Sequence, residues 1–185
     1  LAAAADNEVD RFIYCSSMSR YGENETPFTE DMEPRPQDPY SISKAASEDL
    51  TRLMGDVHDF EYVIAIPHNI IGPRQKFDDP FRNVASIFIN RMLQGKQPII
   101  YGDGEQMRCF TFVHDNVRPL KKLAHQDNVV GEAINIGPDD EFITGASFAG
   151  TFGVDPEDAR EGVSIDRIVS SIHEEDRERV EREIE

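Results

Sequence analysis

The sequence predicts an α/β fold built on a parallel sheet, and three observations carry that expectation. Segments with helical spacing alternate with short apolar runs along most of the chain. The run Arg11-Phe-Ile-Tyr-Cys-Ser-Ser17 is almost continuously apolar up to its two serines, as a strand covered on both faces must be. Asp38-Pro39 supplies a capping carboxylate followed by a residue suited to the first helical position, and so starts a helix over residues 39–57.

In order, residues 1–9 read as the end of a helix that leads into the strand at 11–17. A helix feeding a buried strand is one unit of a layer whose parallel neighbours must come from earlier sequence, so we expect an N-terminal portion ahead of Leu1. A polar loop at 23–38 precedes the helix at 39–57, and a strand follows at 62–66. After the turn Ile71-Gly-Pro-Arg74 come an amphipathic helix at 83–94 and strands at 98–101 and 108–113. Asp115 is placed to cap the next helix, which runs to residue 125, and Glu132-Ala-Ile-Asn-Ile136 is a further strand. Beyond residue 141 the texture changes. The last 44 residues hold 12 acidic and 5 basic side chains, no clear strand and a charged helix at 174–185, so the chain is expected to divide into 1–141 and 142–185.

The 185 residues include 19 Lys and Arg against 36 Asp and Glu, a formal net charge of −17. Such a surface repels phosphate backbones and no basic run offers a local exception, so no nucleic-acid partner is expected. With 38% hydrophobic residues, 11 Phe and no uninterrupted apolar run near the length of a membrane span, the composition is that of a soluble globular chain with no membrane partner. Cys15 and Cys109 fit neither a disulfide framework nor a zinc pattern, and the five histidines are dispersed, so no metal site is expected. No basic-then-apolar leader opens the chain, and with two cysteines the expected compartment is reducing and cytoplasmic. The acidity also suits a salt-rich habitat.

The most informative spacing is Tyr40-Ser-Ile-Ser-Lys44, because residues four apart on a helix share a face. An ordinary phenol titrates near 10, so a phenolate base working near neutral pH needs about 4 kcal/mol of help. One ammonium at about 4 Å, at an effective dielectric near 20, supplies roughly that amount. By itself the pair also fits a solvated lysine beside a packed tyrosine. Ser16 and Ser17 add weight, because they end the preceding strand where open parallel sheets place their ligands, and a hydroxyl there can hydrogen-bond the oxygen that the tyrosine deprotonates.

Five collinear segments then carry a family resemblance: Phe12-Ile-Tyr-Cys-Ser-Ser-Met-Ser-Arg-Tyr-Gly22, Pro39-Tyr-Ser-Ile-Ser-Lys44, His68-Asn-Ile-Ile-Gly-Pro-Arg74, Pro98-Ile-Ile-Tyr-Gly-Asp-Gly104 and Arg108-Cys-Phe-Thr-Phe-Val-His-Asp115. Over residues 1–141 the chain resembles the extended short-chain dehydrogenase/reductase superfamily, in particular nucleotide-sugar epimerases of the UDP-glucose 4-epimerase type. The resemblance implies part of a Rossmann-type sheet, NAD as cofactor, a UDP-hexose substrate and a homodimer formed through the helix bearing Tyr40. It implies Ser17, Tyr40 and Lys44 as the catalytic set, with Tyr40, Lys44 and His68 lining the nicotinamide site. Ser17, Asn69, Asn83, Tyr101 and Arg108 are implied substrate contacts, the last as the guanidinium that pairs with the diphosphate. The implied reaction oxidises the sugar at C4, with Tyr40 taking the hydroxyl proton, and returns hydride to the opposite face. Dehydratases of this superfamily carry Asp-Glu directly after the catalytic Thr. Met18 and Ser19 stand there in this chain, which disfavours dehydration and leaves open a reductase, a decarboxylase or an epimerase of another sugar.

The superfamily's Gly-x-x-Gly-x-x-Gly turn is not among these residues, since Gly102-Asp-Gly104 precedes a strand and has Met107 in the third glycine's place. Residues 142–185 resemble the helical middle of a PAS domain, on Phe152-Gly-Val-Asp-Pro-Glu157 and Ile172-His-Glu-Glu-Asp-Arg177. The alternative reading is a noncatalytic remnant or a sensory fusion that keeps nucleotide-sugar contacts without turnover.

Overall fold

The computed structural model describes residues 1–76, 83–94, 96, 107–138 and 143–144. In chain order the elements are α1 (Ala2–Asp6), β1 (Arg11–Cys15), α2 (Pro39–His58), β2 (Glu61–Pro67), β3 (Ile70–Ile71), α3 (Val84–Leu93), β4 (Met107–Arg108), β5 (Thr111–Phe112), α4 (Val113–Leu123), β6 (Ala133–Ile136) and β7 (Ile143–Thr144). They fall into two compact units, residues 1–72 with 110–139, and residues 73–109 with 140–185.

The first unit is an α/β layer. Its sheet has the order β1-β2-β6, all parallel, with Arg11 opposite Glu61, Cys15 opposite Ala65, Ile64 opposite Ala133 and Pro67 opposite Ile136. β2 lies in the centre, and side-chain alternation sends Val63 and Ala65 to one face and Ile64 and Ile66 to the other, all four fully buried. Leu123, Leu120, Ile13 and Ile136 complete the first core. Tyr21, Phe28, Met32 and Tyr14 complete the second, with the Tyr21 and Phe28 rings stacked 4.7 Å apart. A strand buried on both faces has no polar side to show, which is why β2 reads as a continuous apolar run.

Asp38 caps α2 as expected. Its carboxylate accepts from the Ser41 backbone amide at 2.9 Å, the Ser41 hydroxyl is 3.1 Å from the Asp38 amide that donates to it, and Pro39 opens the helix. At the other end Asp59 takes the left-handed conformation and closes the last turn on Gly55. Gly55 is needed inside the helix, because a Cβ there would collide with the Tyr62 ring of β2.

Several elements differ from expectation. The segment 108–113 is not one strand: Thr111–Phe112 pairs in parallel with Ile70–Ile71, whereas Met107–Arg108 pairs antiparallel with Ile143–Thr144 in the second unit. The turn expected at 71–74 is therefore preceded by a short strand, and residues 143–144, expected to lie in a strandless tail, form one too. Asp115 does not cap α4. Pairing of β5 carries the chain directly into the helix at Val113, so Phe112 occupies the cap position and Asp115 lies in the first turn. The strand expected at 98–101 and the PAS-like segment lie outside the described residues. In the second unit, Ala85, Phe88 and Cys109 are buried. Among the described residues no helix is long and apolar enough to cross a membrane, and no three His, Cys, Asp or Glu side chains group as metal ligands.

Candidate active site

The C-terminal end of β1 separates the two serines, because consecutive residues leave an extended segment on opposite sides. Ser16 continues the ladder through its amide to the Ala65 carbonyl at 2.7 Å, is buried, and donates its hydroxyl to Glu48 Oε1 at 2.5 Å. Its hydroxyl is thus committed. Ser17 is only partly covered and starts the 3-10 turn Met18–Tyr21. Its Oγ accepts from the Ser19 amide at 3.3 Å and the Ser19 hydroxyl at 3.0 Å, and both contacts leave its own proton to donate.

Tyr40, Lys44 and Glu48 follow one another at four-residue intervals along α2 and descend from the surface into the core. Tyr40 is 56% exposed, Lys44 is half-buried and Glu48 is 1% exposed. The Lys44 ammonium donates to the Cys15 carbonyl at 2.7 Å and lies 5.3 Å from the Tyr14 ring centre and 5.7 Å from that of Tyr40. This anchor holds the cation beside the tyrosine with two donors to spare. Glu48 also lies 3.2 Å from the buried Arg20 guanidinium and 3.5 Å from that of Arg52.

His68 and Asn69 follow β2 at the same end of the sheet. His68 Nε2 is 3.3 Å from Asn135 Oδ1, and burial pushes its imidazole below the usual histidine value against the opposing pull of that contact. Asn69 has φ +31°, in the left-handed region that Asn tolerates, and its Nδ2 donates to Met18 Sδ at 3.3 Å. Its backbone oxygen accepts from the Thr111 amide at 3.2 Å, so one residue links β2, the turn after Ser17 and β5.

Sequence reasoning missed Asn135. Its Oδ1 accepts from the Tyr21 hydroxyl at 2.9 Å, its Nδ2 donates to the Phe28 carbonyl at 3.3 Å, and its amide donates to Glu30 at 2.9 Å. It ties the 23–38 loop to β6 beside His68. The available signal was a polar residue interrupting the apolar run Ala-Ile-Asn-Ile136. Ser16, Glu48 and Arg20 were also not assigned these roles, although Glu48 continues the Tyr40, Lys44 spacing.

The first unit therefore gathers Tyr40 and Lys44 with the end of β1 that carries Ser17, and brings Asn69 to the Met18 side of that turn. Asn83 and Arg108 belong to the second unit. Asn83 Oδ1 accepts from the Ser86 amide and hydroxyl at 3.2 and 3.0 Å at the start of α3, and Arg108 is exposed on β4. Tyr101 lies outside the described residues.

A parallel α/β sheet with a hydroxyl, a phenol and an ammonium collected at the carboxyl end of its strands defines a ligand-binding layer of the dinucleotide type. The chain belongs to the NAD dependent epimerase/dehydratase family, whose sequence profile matches residues 1–137. It is 36% identical over 138 residues to the low-salt glycan biosynthesis protein Agl12 of Haloferax volcanii, a match covering 74% of this chain and 43% of that protein. It is 37% identical over 137 residues to the UDP-N-acetyl-alpha-D-glucosaminuronate decarboxylase of Bacillus cytotoxicus, covering 71% of this chain and 42% of that one. The structure is similar to the UDP-glucuronic acid 4-epimerase of Bacillus cereus in complex with UDP-glucuronic acid and NAD, with a TM-score of 0.74, 29% identity, and coverage of 88% of this chain and 49% of that chain. The chain thus spans less than half the length of each of these relatives.

Proposed function

We propose that this chain carries the Ser-Tyr-Lys half of an NAD-dependent nucleotide-sugar oxidoreductase centre, and that its reaction is epimerisation of a UDP-hexose at C4. The observation that supports the reading most is the Lys44 ammonium, fixed on the Cys15 carbonyl one helical turn from Tyr40 and still holding unspent donors. Those donors suit the vicinal hydroxyls of a nicotinamide ribose, so the donor set fits the cofactor. NAD, when bound, supplies the hydride acceptor at C4.

The protein's own part is the proton and the geometry. Tyr40 Oη takes the proton of the sugar 4-hydroxyl, and Lys44 stabilises the phenolate electrostatically. Ser17 donates its free hydroxyl proton to the same substrate oxygen. His68, held neutral by burial, is proposed to line the nicotinamide site, and Asn69, Asn83, Tyr101 and Arg108 to contact the sugar and diphosphate. Met18 and Ser19, with no carboxyl between them, offer no acid/base pair for loss of water. The reading includes a homodimer. Ile42, Leu50, Leu53 and Val57 lie on one face of α2, each more than half exposed, opposite the buried polar stripe Ser41, Glu48, Thr51 and Gly55.

The test is turnover of UDP-glucose and UDP-galactose, followed by sugar analysis, alongside NAD(H) released on denaturation. Tyr40→Phe should lower kcat about 10²–10⁴-fold while leaving the fold intact. Turnover unchanged in Tyr40→Phe, or no NAD(H) and no turnover in the wild type, overturns the reading.

A further inference from the structure

We propose that Glu48 is a positioning residue that sets the distance between Ser17 and Tyr40, a role that rests on the function proposed above. Glu48 belongs to the helix that carries Tyr40 and Lys44, and its carboxylate grips both ends of the turn that carries Ser17. On one side it accepts the Ser16 hydroxyl at 2.5 Å, one residue before Ser17. On the other it faces the Arg20 guanidinium at 3.2 Å, three residues after Ser17. Each of these three side chains is at least 96% buried, so solvent does not loosen the grip.

The ion pair is a poor stabilising device. Arg20 Nε and Nη1 and Glu48 Oε2 have no aligned hydrogen-bond partner, and buried charges need good geometry to repay the loss of water. What the arrangement does provide is register. Lys44 fixes α2 to the carbonyl of Cys15 and Glu48 fixes it to the side chain of Ser16, so two successive helical turns are tied to two successive residues at the strand end. Sliding or rotating α2 breaks both ties together. An error near 1 Å in such an arrangement can cost about 10²-fold in rate.

The variants are Ser16→Ala, which keeps the ion pair, and Glu48→Gln, which keeps shape but removes the charge. Arg52→Ala is the control, because Arg52 reaches the same Glu48 oxygen at 3.5 Å without flanking the turn. Two readouts are used: the split of kcat from KM for UDP-glucose, and NMR signals of the Tyr40 ring and the Lys44 ε-methylene, the former assigned with Tyr40→Phe. Ser16→Ala and Glu48→Gln should lower kcat about tenfold or more with KM within about twofold. Both should move the Tyr40 and Lys44 signals, and Arg52→Ala should leave them in place. Unmoved signals in Ser16→Ala overturn the positioning role. A wild type without turnover overturns the function proposed above, while the signals still decide the role of Glu48. If Glu48→Gln does not fold, Ser16→Ala carries the test.

Discussion

The Lys44 ammonium donates to the carbonyl oxygen of Cys15 at 2.7 Å, joining the middle of α2 to the last residue of β1. Lys44→Met keeps the stem and removes both the tie and the charge beside Tyr40. Loss of about 10²-fold or more in turnover is expected, because the tie to β1 and the positive charge beside the Tyr40 ring are removed together. Steady-state rates of the wild type and Lys44→Met check this, and an unchanged kcat counts against the assignment.

Gly55 faces the Tyr62 ring with no room for a methyl group. Alanine is the better helix former by about 1 kcal/mol, yet Gly55→Ala should destabilise the protein by about 1–3 kcal/mol, since overpacking outweighs propensity. Urea denaturation decides which effect wins.

Burial lowers the His68 value, so between it and the ordinary value of 6.5 the unfolded chain binds the proton and the folded chain does not. Stability should therefore fall as pH drops below about 6.5. Asp38 is lowered chiefly by the Ser41 backbone amide, so its contribution is present above 3.8 and is lost as pH falls through its depressed folded value. Asp38→Ala should cost about 1 kcal/mol at pH 7 and progressively less as pH falls below 3.8. Denaturation midpoints of wild type, His68→Gln and Asp38→Ala across pH test both signs: His68→Gln should flatten the wild-type decline between pH 7 and 5.

The formal charge of −17 repels itself over a surface where screening is weak at low salt. The Debye length falls from about 10 Å at 0.1 M salt to about 3 Å at 1 M, so added salt should stabilise the fold. A gain of about 1 kcal/mol would appear as a melting-point rise of about 2–4 °C. Melts in sodium chloride measure it, and a falling midpoint would show that specific ion pairs such as Arg11 with Glu61 at 2.6 Å outweigh the net repulsion.

Leu53 is 58% exposed in the apolar stripe of α2. If a second copy covers this face, Leu53→Glu should shift sedimentation from dimer to monomer without touching the Tyr40 face. A wild type that sediments as a monomer at micromolar concentration would remove the homodimer from the proposal.

By itself the sequence determined the parallel α/β layer, the cap at Asp38 and the shared face of Tyr40 and Lys44, because these depend on local periodicity and on residue types with strong local preferences. Tertiary structure alone decided what non-local contacts govern. Spacing alone put both Ser16 and Ser17 at the strand end, and the fold commits the Ser16 hydroxyl to Glu48 across 32 residues while leaving the Ser17 proton to donate. The segment 108–113 split between two sheets, since partners at 70–71 and 143–144 select its pairing. Asn135 became a hub because the 23–38 loop returns to β6, and α2 turned its apolar stripe outward because its buried positions are Ser41, Glu48, Thr51 and Gly55, the last without a Cβ that would meet the Tyr62 ring. A helical stripe can be read from spacing, but which stripe faces inward depends on what stands opposite.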